Sequence, residues 1–331
     1  MPRRALRFAL ITGLAFGVAA WAVAAFATGG RLVKLPDGRR LYLHCTGHGS
    51  PTVLFESGYR GSSGAWADIQ SAVARTTRAC AYDRAGYGRS DPGPSPRDGT
   101  AVARDLDAGL RAARIAGPYV MVGHSAGGLY VRLFSDMRPR DVAGMVLVDT
   151  SVEHQDRRFA AAFGPGAGST GPLRTRAQSC YEASQSGLLP STAPELAPCT
   201  PHTTPERTDP AWKQTVSEDS QPSYWLTALS ELDTLWTSTS DEIDHGRTSY
   251  GSTPLIVLTA DGTYADDPPA VRDAAEALWR RLHQEVAARS SRGQERLVAG
   301  SSHNMMRDQP GAVIGAIKDV VADARAEPAT R

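Results

Sequence analysis

Apolar and polar positions along the chain fall into two alternating rhythms. Short, nearly continuous apolar runs at residues 52–56, 79–82, 119–122, 142–148, 255–258 and 295–298 predict strands. Between them, apolar residues recur at helical spacing. The clearest series are Ala126, Leu129, Tyr130, Leu133, Phe134, Met137 and Val271, Ala275, Leu278, Leu282, Val286. Residues 66–73, 102–115 and 312–321 read as further helices, and the pair 32–35 and 40–44, split by Pro36-Asp37-Gly38, reads as an opening β-hairpin. Apolar strands separated by helices predict an α/β fold with a mostly parallel sheet covered on both faces. The rhythm breaks at residues 151–251, rich in Ser, Thr, Pro and Gly, with helical patches such as 224–235. That block reads as an insertion into a sheet domain formed by residues 31–150 and 252–325.

The first 28 residues follow neither rhythm. Arg3, Arg4 and Arg7 precede an uncharged stretch, residues 8–28, about 30 Å long as a helix at ~1.5 Å per residue. It reads as a cleaved signal peptide with Ala25-Phe26-Ala27 as the cleavage site, or as an uncleaved signal anchor. On either reading the folded part is exported, secreted or membrane-anchored. The four cysteines, Cys45, Cys80, Cys180 and Cys199, agree with an oxidising compartment: their number is even and no close C-x-x-C pair marks a zinc site.

Composition narrows the function only by exclusion. With 41% hydrophobic and 21% charged residues among 331, the chain has ample material for a core. Lys+Arg 36 against Asp+Glu 35 leaves a net charge of +1, without the basic excess of a general nucleic-acid binder.

The chemistry lies where strands end. Gly123-His124-Ser125-Ala126-Gly127 joins the strand at 119–122 to the helix beginning at Ala126. This is G-x-S-x-G in the context that gives it meaning: strand, sharp turn, helix. Such a turn lifts the Ser125 hydroxyl to its tip and sets the Ala126 N–H, at a helix N-terminus, beside any developing oxyanion. Small residues are needed at 123 and 127, because a β-carbon there would meet adjacent backbone.

With that motif and three further segments, the chain resembles the α/β-hydrolases from about residue 32 to 321, apart from the insertion. Ser57-Gly58-Tyr59 follows the strand at 52–56, where the family usually carries His-Gly; the resemblance makes the Tyr59 N–H the second oxyanion donor. Asp83-Arg84-Ala85-Gly86-Tyr87-Gly88-Arg89-Ser90 matches the family's D-x-x-G-x-G-x-S loop. Gly300-Ser301-Ser302-His303 follows the last strand, where the family has its catalytic histidine. Of the eight histidines only His303 occupies a late loop in the order Ser, acid, His. For the acid, the family's usual slot falls near Thr263. Asp149, at the tip of the strand after the nucleophile helix, is therefore preferred, with Asp261 as the alternative. The insertion corresponds to the family's mainly helical cap, and Trp225 and Trp236 are its candidate substrate-binding residues. Cys180 and Cys199 lie within it as a candidate crosslink. The resemblance also makes the strands carrying Cys45 and Cys80 neighbours.

The resulting expectation is an exported serine hydrolase acting on a small-molecule or lipid ester, with Ser125 as nucleophile and His303 as general base. No metal or organic cofactor is implied. The alternatives are a cofactor-free haloperoxidase or perhydrolase-like activity, and a non-catalytic binding module on the same scaffold.

Overall fold

A computed structural model describes residues 29–199 and 210–326 of the chain. The leader read at residues 1–28 lies outside the described residues. No helix among the described residues is long and apolar enough to cross a membrane.

The strands are β1 (Gly30–Lys34), β2 (Arg40–Thr46), β3 (Thr52–Glu56), β4 (Ala79–Tyr82), β5 (Tyr119–His124), β6 (Val142–Val148), β7 (Leu255–Ala260) and β8 (Gly293–Val298). The helices are α1 (Ala67–Val73), α2 (Gly99–Ala113), α3 (Ala126–Met137), α4 (Gln155–Phe163), α5 (Gly171–Gln185), α6 (Pro210–Asp219), α7 (Pro222–Leu235), α8 (Ser238–Asp244), α9 (Pro269–Ala287), α10 (Met305–Asp308) and α11 (Pro310–Ala326). One eight-stranded sheet runs in the order β1-β2-β4-β3-β5-β6-β7-β8. The β1/β2 and β2/β4 pairs are antiparallel, and every pair from β4/β3 to β7/β8 is parallel. The opening hairpin and the parallel α/β core are therefore as the apolar pattern predicts.

Although the central strands are apolar throughout, their side chains still divide by the two-residue period. Met121, Met145, Leu147 and Val257 join the core beneath α2, α3 and α9, with Leu106, Leu129, Phe134 and Leu282. Val120, Val122, Val146, Ile256 and Leu258 face the other way and pack with Ile69, Val73, Ile317 and Val320 of α1 and α11. Burial on both faces explains why the run carries no polar alternation. Helix α2 is preceded by Asp98, whose side chain accepts from the Ala101 N–H at 2.8 Å, an N-cap that satisfies one of the free donors of its first turn.

Among the described residues between β6 and β7 there are five helices, α4 to α8. This is more regular than the composition predicts. Prolines at the first turns of α5 and α7 start helices here and do not break them, since the missing N–H has no intrahelical partner at that position. The segment has its own apolar cluster around Trp225, Ala228, Leu229, Cys180 and Cys199. The bridge Cys180–Cys199 ties α5 to the turn at Pro194–Cys199, and Cys45–Cys80 joins β2 to β4 at directly paired positions.

Candidate active site

The turn between β5 and α3 places Ser125 at φ 53, ψ −127, backbone that an L-residue adopts only under constraint. The constraint is close packing of main chain. A β-carbon on Gly123 would lie 2.6 Å from the Gly127 carbonyl oxygen, and one on Gly127 would lie 2.6 Å from that of Glu56 and 2.7 Å from that of Ser57. The Ser125 hydroxyl is thereby raised at the carboxyl end of the sheet.

His303 reaches it from the loop after β8. Its Nε2 stands 2.9 Å from Ser125 Oγ and its Nδ1 stands 2.6 Å from Asp149 Oδ2. An ionised carboxylate only accepts, so the proton of a neutral imidazole sits on Nδ1 and Nε2 is left to accept from the Ser125 hydroxyl. The loop is braced at several points. Asp261 accepts the Gly300 and Ser301 N–H groups at 3.0 and 3.1 Å. Asp308 accepts from the Ser302 N–H at 2.9 Å, and His124 Nε2–H donates to the His303 carbonyl at 2.8 Å. Burial, with the adjacent His303, pushes His124 down to about 3, so this buried imidazole is neutral and donates through one fixed nitrogen.

Asp149 is fully buried at the tip of β6, in left-handed backbone at φ 41. Burial by itself would raise its carboxyl. The His303 hydrogen bond and charge, the nearby His283 and the Thr263 hydroxyl outweigh that and hold it well below the usual carboxylate range. Four donors converge on it: His303, the Thr263 hydroxyl at 2.7 Å, the Ala260 N–H at 3.0 Å and the Trp279 indole N–H at 2.8 Å. Of the two candidate acids, then, the structure brings Asp149 to the imidazole, and its carboxylate is held by Thr263, the residue in the usual acid slot. Asp261 meets the backbone just before His303. The support from Trp279 has no sequence signal beyond the helical register that buries α9.

Ala126 and Tyr59, which carry the two candidate oxyanion donors, line one cavity with Ser125. Ala126 is the first residue of α3, so its N–H has no intrahelical acceptor. Among the described residues no backbone carbonyl takes the Tyr59 N–H. A β-carbon on Gly58 would stand 3.0 Å from Ser125 Cβ, which measures how closely that loop lies against the serine.

A cavity of about 370 Å³ opens over these groups, its walls formed by Tyr59, Ser125, Ala126 and His303 from the sheet end and by Leu232, Leu235 and Trp236 from the inserted helices. Trp236 thus lines the cavity that holds Ser125. Trp225 does not. Its side chain is fully buried among Tyr87, Cys180 and Leu229, with the Arg60 guanidinium 4.2 Å over its ring. Of the two tryptophans expected at the substrate, Trp225 instead packs where the inserted segment meets Tyr87 and Arg60 of the sheet domain. Leu232, Leu235, Gln155 and Tyr264 line the cavity without having been singled out by any motif. Among the described residues no cluster of three or more His, Cys, Asp or Glu side chains is placed to hold a metal ion.

Comparison with known proteins identifies the family of this fold. The model of the alpha/beta hydrolase family matches residues 41–316. An uncharacterised protein, YqjL of Bacillus subtilis (strain 168), is 24% identical over 84% of this chain and 86% of its own length. A putative carbamate hydrolase, RutD of Azorhizobium caulinodans, is 33% identical over 33% of this chain and 40% of its own. Among solved structures, the epoxide hydrolase CorEH covers 88% of this chain and 98% of its own, at TM-score 0.64 and 16% identity. A thermophilic esterase from Thermogutta terrifontis covers 89% of this chain and 98% of its own, at TM-score 0.55 and 19% identity. At such identities the two structural likenesses are likenesses of fold.

Proposed function

The chain belongs to the alpha/beta hydrolase family, and on that premise we propose that it is an exported serine hydrolase that cleaves a carboxylic ester through an acyl-enzyme intermediate. The observation that carries this reading is the continuous chain Ser125 Oγ–His303 Nε2 and His303 Nδ1–Asp149 Oδ2, at 2.9 and 2.6 Å, facing a cavity.

Ser125 Oγ attacks the acyl carbon while His303 Nε2 takes the hydroxyl proton. Asp149 stabilises the imidazolium and keeps Nδ1 protonated. The carbonyl oxygen gains negative charge and is held by the Ala126 and Tyr59 N–H groups. Collapse expels the alcohol, which takes the proton from Nε2. Water, deprotonated by the same nitrogen, then attacks the acyl-serine, releasing the acid and restoring Ser125. Asp149 needs no proton at any step, in keeping with a carboxyl held well below its ordinary range.

Ser125 also separates this reading from alkyl-transfer chemistry on the same fold. Opening an epoxide or displacing a halide with a serine would leave an ether, which has no carbonyl for water to attack. The inserted helices act as the cap and supply Trp236, Leu232 and Leu235 to the substrate. Two bridged cysteine pairs support export, since such pairs persist in oxidising compartments.

The test is covalent labelling by a fluorophosphonate probe, followed by a panel of p-nitrophenyl esters of graded chain length. Wild type should label and turn over at least one ester, and Ser125→Ala should do neither measurably. Labelling that persists in Ser125→Ala, or a wild type that never labels, would overturn the assignment.

A further inference from the structure

The buried Arg84 belongs to the D-x-x-G-x-G-x-S loop, yet the mechanism above gives it no role. Its guanidinium is fully enclosed and every one of its N–H donors is taken. Nε donates to Glu231 Oε1 at 2.9 Å. Nη1 donates to Glu56 Oε1 at 2.8 Å and to the Ser57 carbonyl at 2.6 Å. Nη2 donates to Glu231 Oε2 at 3.1 Å and to the Gly58 carbonyl at 2.9 Å. The Tyr87 and Tyr130 rings lie 5.1 and 5.2 Å from its central carbon. The group is therefore held from every side.

An ionic cluster of this kind is a poor way to hold a core together. Desolvating three ionisable groups costs more than apolar side chains of the same volume would. Burial raises Glu56 to about 7, against the pull of Arg84 and Tyr82. What the cluster does that an apolar core cannot is grip two successive carbonyls of one loop. In a trans peptide the N–H points opposite to the C=O. With the Gly58 carbonyl turned onto Arg84, the N–H of the same peptide, that of Tyr59, faces away from Arg84. Tyr59 lines the cavity with Ser125, and that N–H has no backbone acceptor among the described residues.

We propose that Arg84 is a positioning residue which aims the Tyr59 N–H at the oxyanion, and that Glu231 couples this aim to the seating of α7 on the sheet. The inference rests on the serine-hydrolase reading. Glu231 is the connection to the inserted segment: it lies on α7, the helix that also lends Leu232 and Leu235 to the cavity. Tyr87 donates to the same carboxylate at 2.9 Å, so Glu231 is held by the sheet domain from two sides. A displaced α7 removes two of the acceptors that fix the guanidinium and loosens the loop carrying Tyr59. The cavity wall and the oxyanion donor are in this way set by one helix.

The experiment compares wild type with Glu231→Gln and Arg84→Lys, using the full folded domain and active-site titration with a fluorophosphonate to count competent serines. Glu231→Gln keeps a hydrogen-bonding oxygen and nearly the same volume, so it is the variant that guards against simple misfolding. Each should lower kcat per titrated site by about 10- to 100-fold with KM little changed, because an oxyanion donor acts on the transition state. Affinity for a phenylboronic acid, whose tetrahedral serine adduct places an oxygen in the same hole, should fall by a similar factor. A merely structural role would lower the melting temperature and the number of titratable sites, leaving kcat per site and boronic-acid affinity within about twofold of wild type. That result would overturn the proposal. A wild type that neither labels nor turns over esters would instead remove the hydrolase reading, and this inference with it.

Discussion

Asp149 and His303 are 154 positions apart in the chain and 2.6 Å apart in the fold, with Nδ1–H of the imidazole donating to a carboxylate that three other donors also hold. An asparagine at 149 would offer its amide nitrogen or oxygen to a site built for an acceptor, and would favour the wrong imidazole tautomer. Asp149→Asn should lower kcat by as much as ~10⁴-fold. Asp261→Asn should lower it far less, because Asp261 accepts from the Gly300 and Ser301 N–H groups and not from the imidazole. Steady-state kinetics on a p-nitrophenyl ester decides between them, and equal losses in the two variants would count against Asp149 as the acid.

Gly127 and Gly315 make a second contrast. A β-carbon at Gly127 would meet two backbone carbonyls, at 2.6 and 2.7 Å, whereas one at Gly315, on α11, would meet nothing within 4 Å. Gly127→Ala should cost about 1–3 kcal/mol through overpacking, and should also depress kcat, because the carbonyls it pushes, of Glu56 at the end of β3 and of Ser57, lead directly into the loop carrying Tyr59. Gly315→Ala should be neutral or stabilise by up to about 1 kcal/mol, since alanine is the better helix former. Urea melts and kinetics on both variants check this.

The parts of the fold that were legible in the sequence share one property: their signals are local. An apolar run bounded by a turn gives a strand, and G-x-S-x-G between a strand and a helix gives the elbow. The pairing of Asp149 with Trp279, or of Arg84 with Glu231, depends on which helix packs on which strand tip, and no local pattern encodes that. The two tryptophans show the same limit. Trp225 lies in the first turn of α7 and Trp236 is the residue just past its end; they are eleven positions apart, close to three full turns, so the angular period alone gives both the same side of the helix axis. They differ along the axis, by about 16 Å at ~1.5 Å per residue. One end of the helix is enclosed by the Cys180–Cys199 region and the other reaches the cavity.

That axial difference is testable. Trp225→Ala removes a fully buried side chain and should cost about 3–5 kcal/mol of stability. Trp236→Ala opens the cavity wall and should change KM or chain-length preference more than stability. If the ester profile shifted with Trp225→Ala and not with Trp236→Ala, the placement of the cavity would be wrong.

The Cys180–Cys199 bridge closes a loop with a sequence separation of 19 beside an apolar cluster that, among the described residues, is smaller than the two flanking the sheet. Replacing both cysteines with serine should lower stability by about 3 kcal/mol, mostly through a freer unfolded chain. Because α5 and α7 pack together around that bridge, the loss should appear first in the inserted segment. Hydrogen exchange should show faster opening of Gly171–Gln185 than of the β5 and β6 strands. Uniform acceleration across the sheet would contradict it.

Glu153 sets a pH dependence whose sign follows from its partners. Its carboxylate accepts from Arg132 at 2.7 Å and from Arg289. Burial would raise this carboxyl; the charge and hydrogen bond of Arg132, with the charge of Arg289, outweigh it and hold Glu153 at about 2, against an ordinary 4.5. A carboxyl depressed in the folded state binds its proton more tightly in the unfolded state. Its contribution is therefore complete above pH 4.5 and is lost as pH falls toward 2. The shift corresponds to roughly 3 kcal/mol at ~1.4 kcal/mol per unit. Glu153→Gln should be less stable than wild type at neutral pH, because it leaves the fully buried Arg132 guanidinium without its charged partner. The gap should then narrow as both proteins are acidified through that window, because only wild type has a proton to take up there. Urea denaturation at a series of pH values measures the gap directly. A difference that stays constant from neutral pH down to the acid limit would mean that Glu153 titrates alike in the folded and unfolded chains, and that its two arginines do not hold its charge.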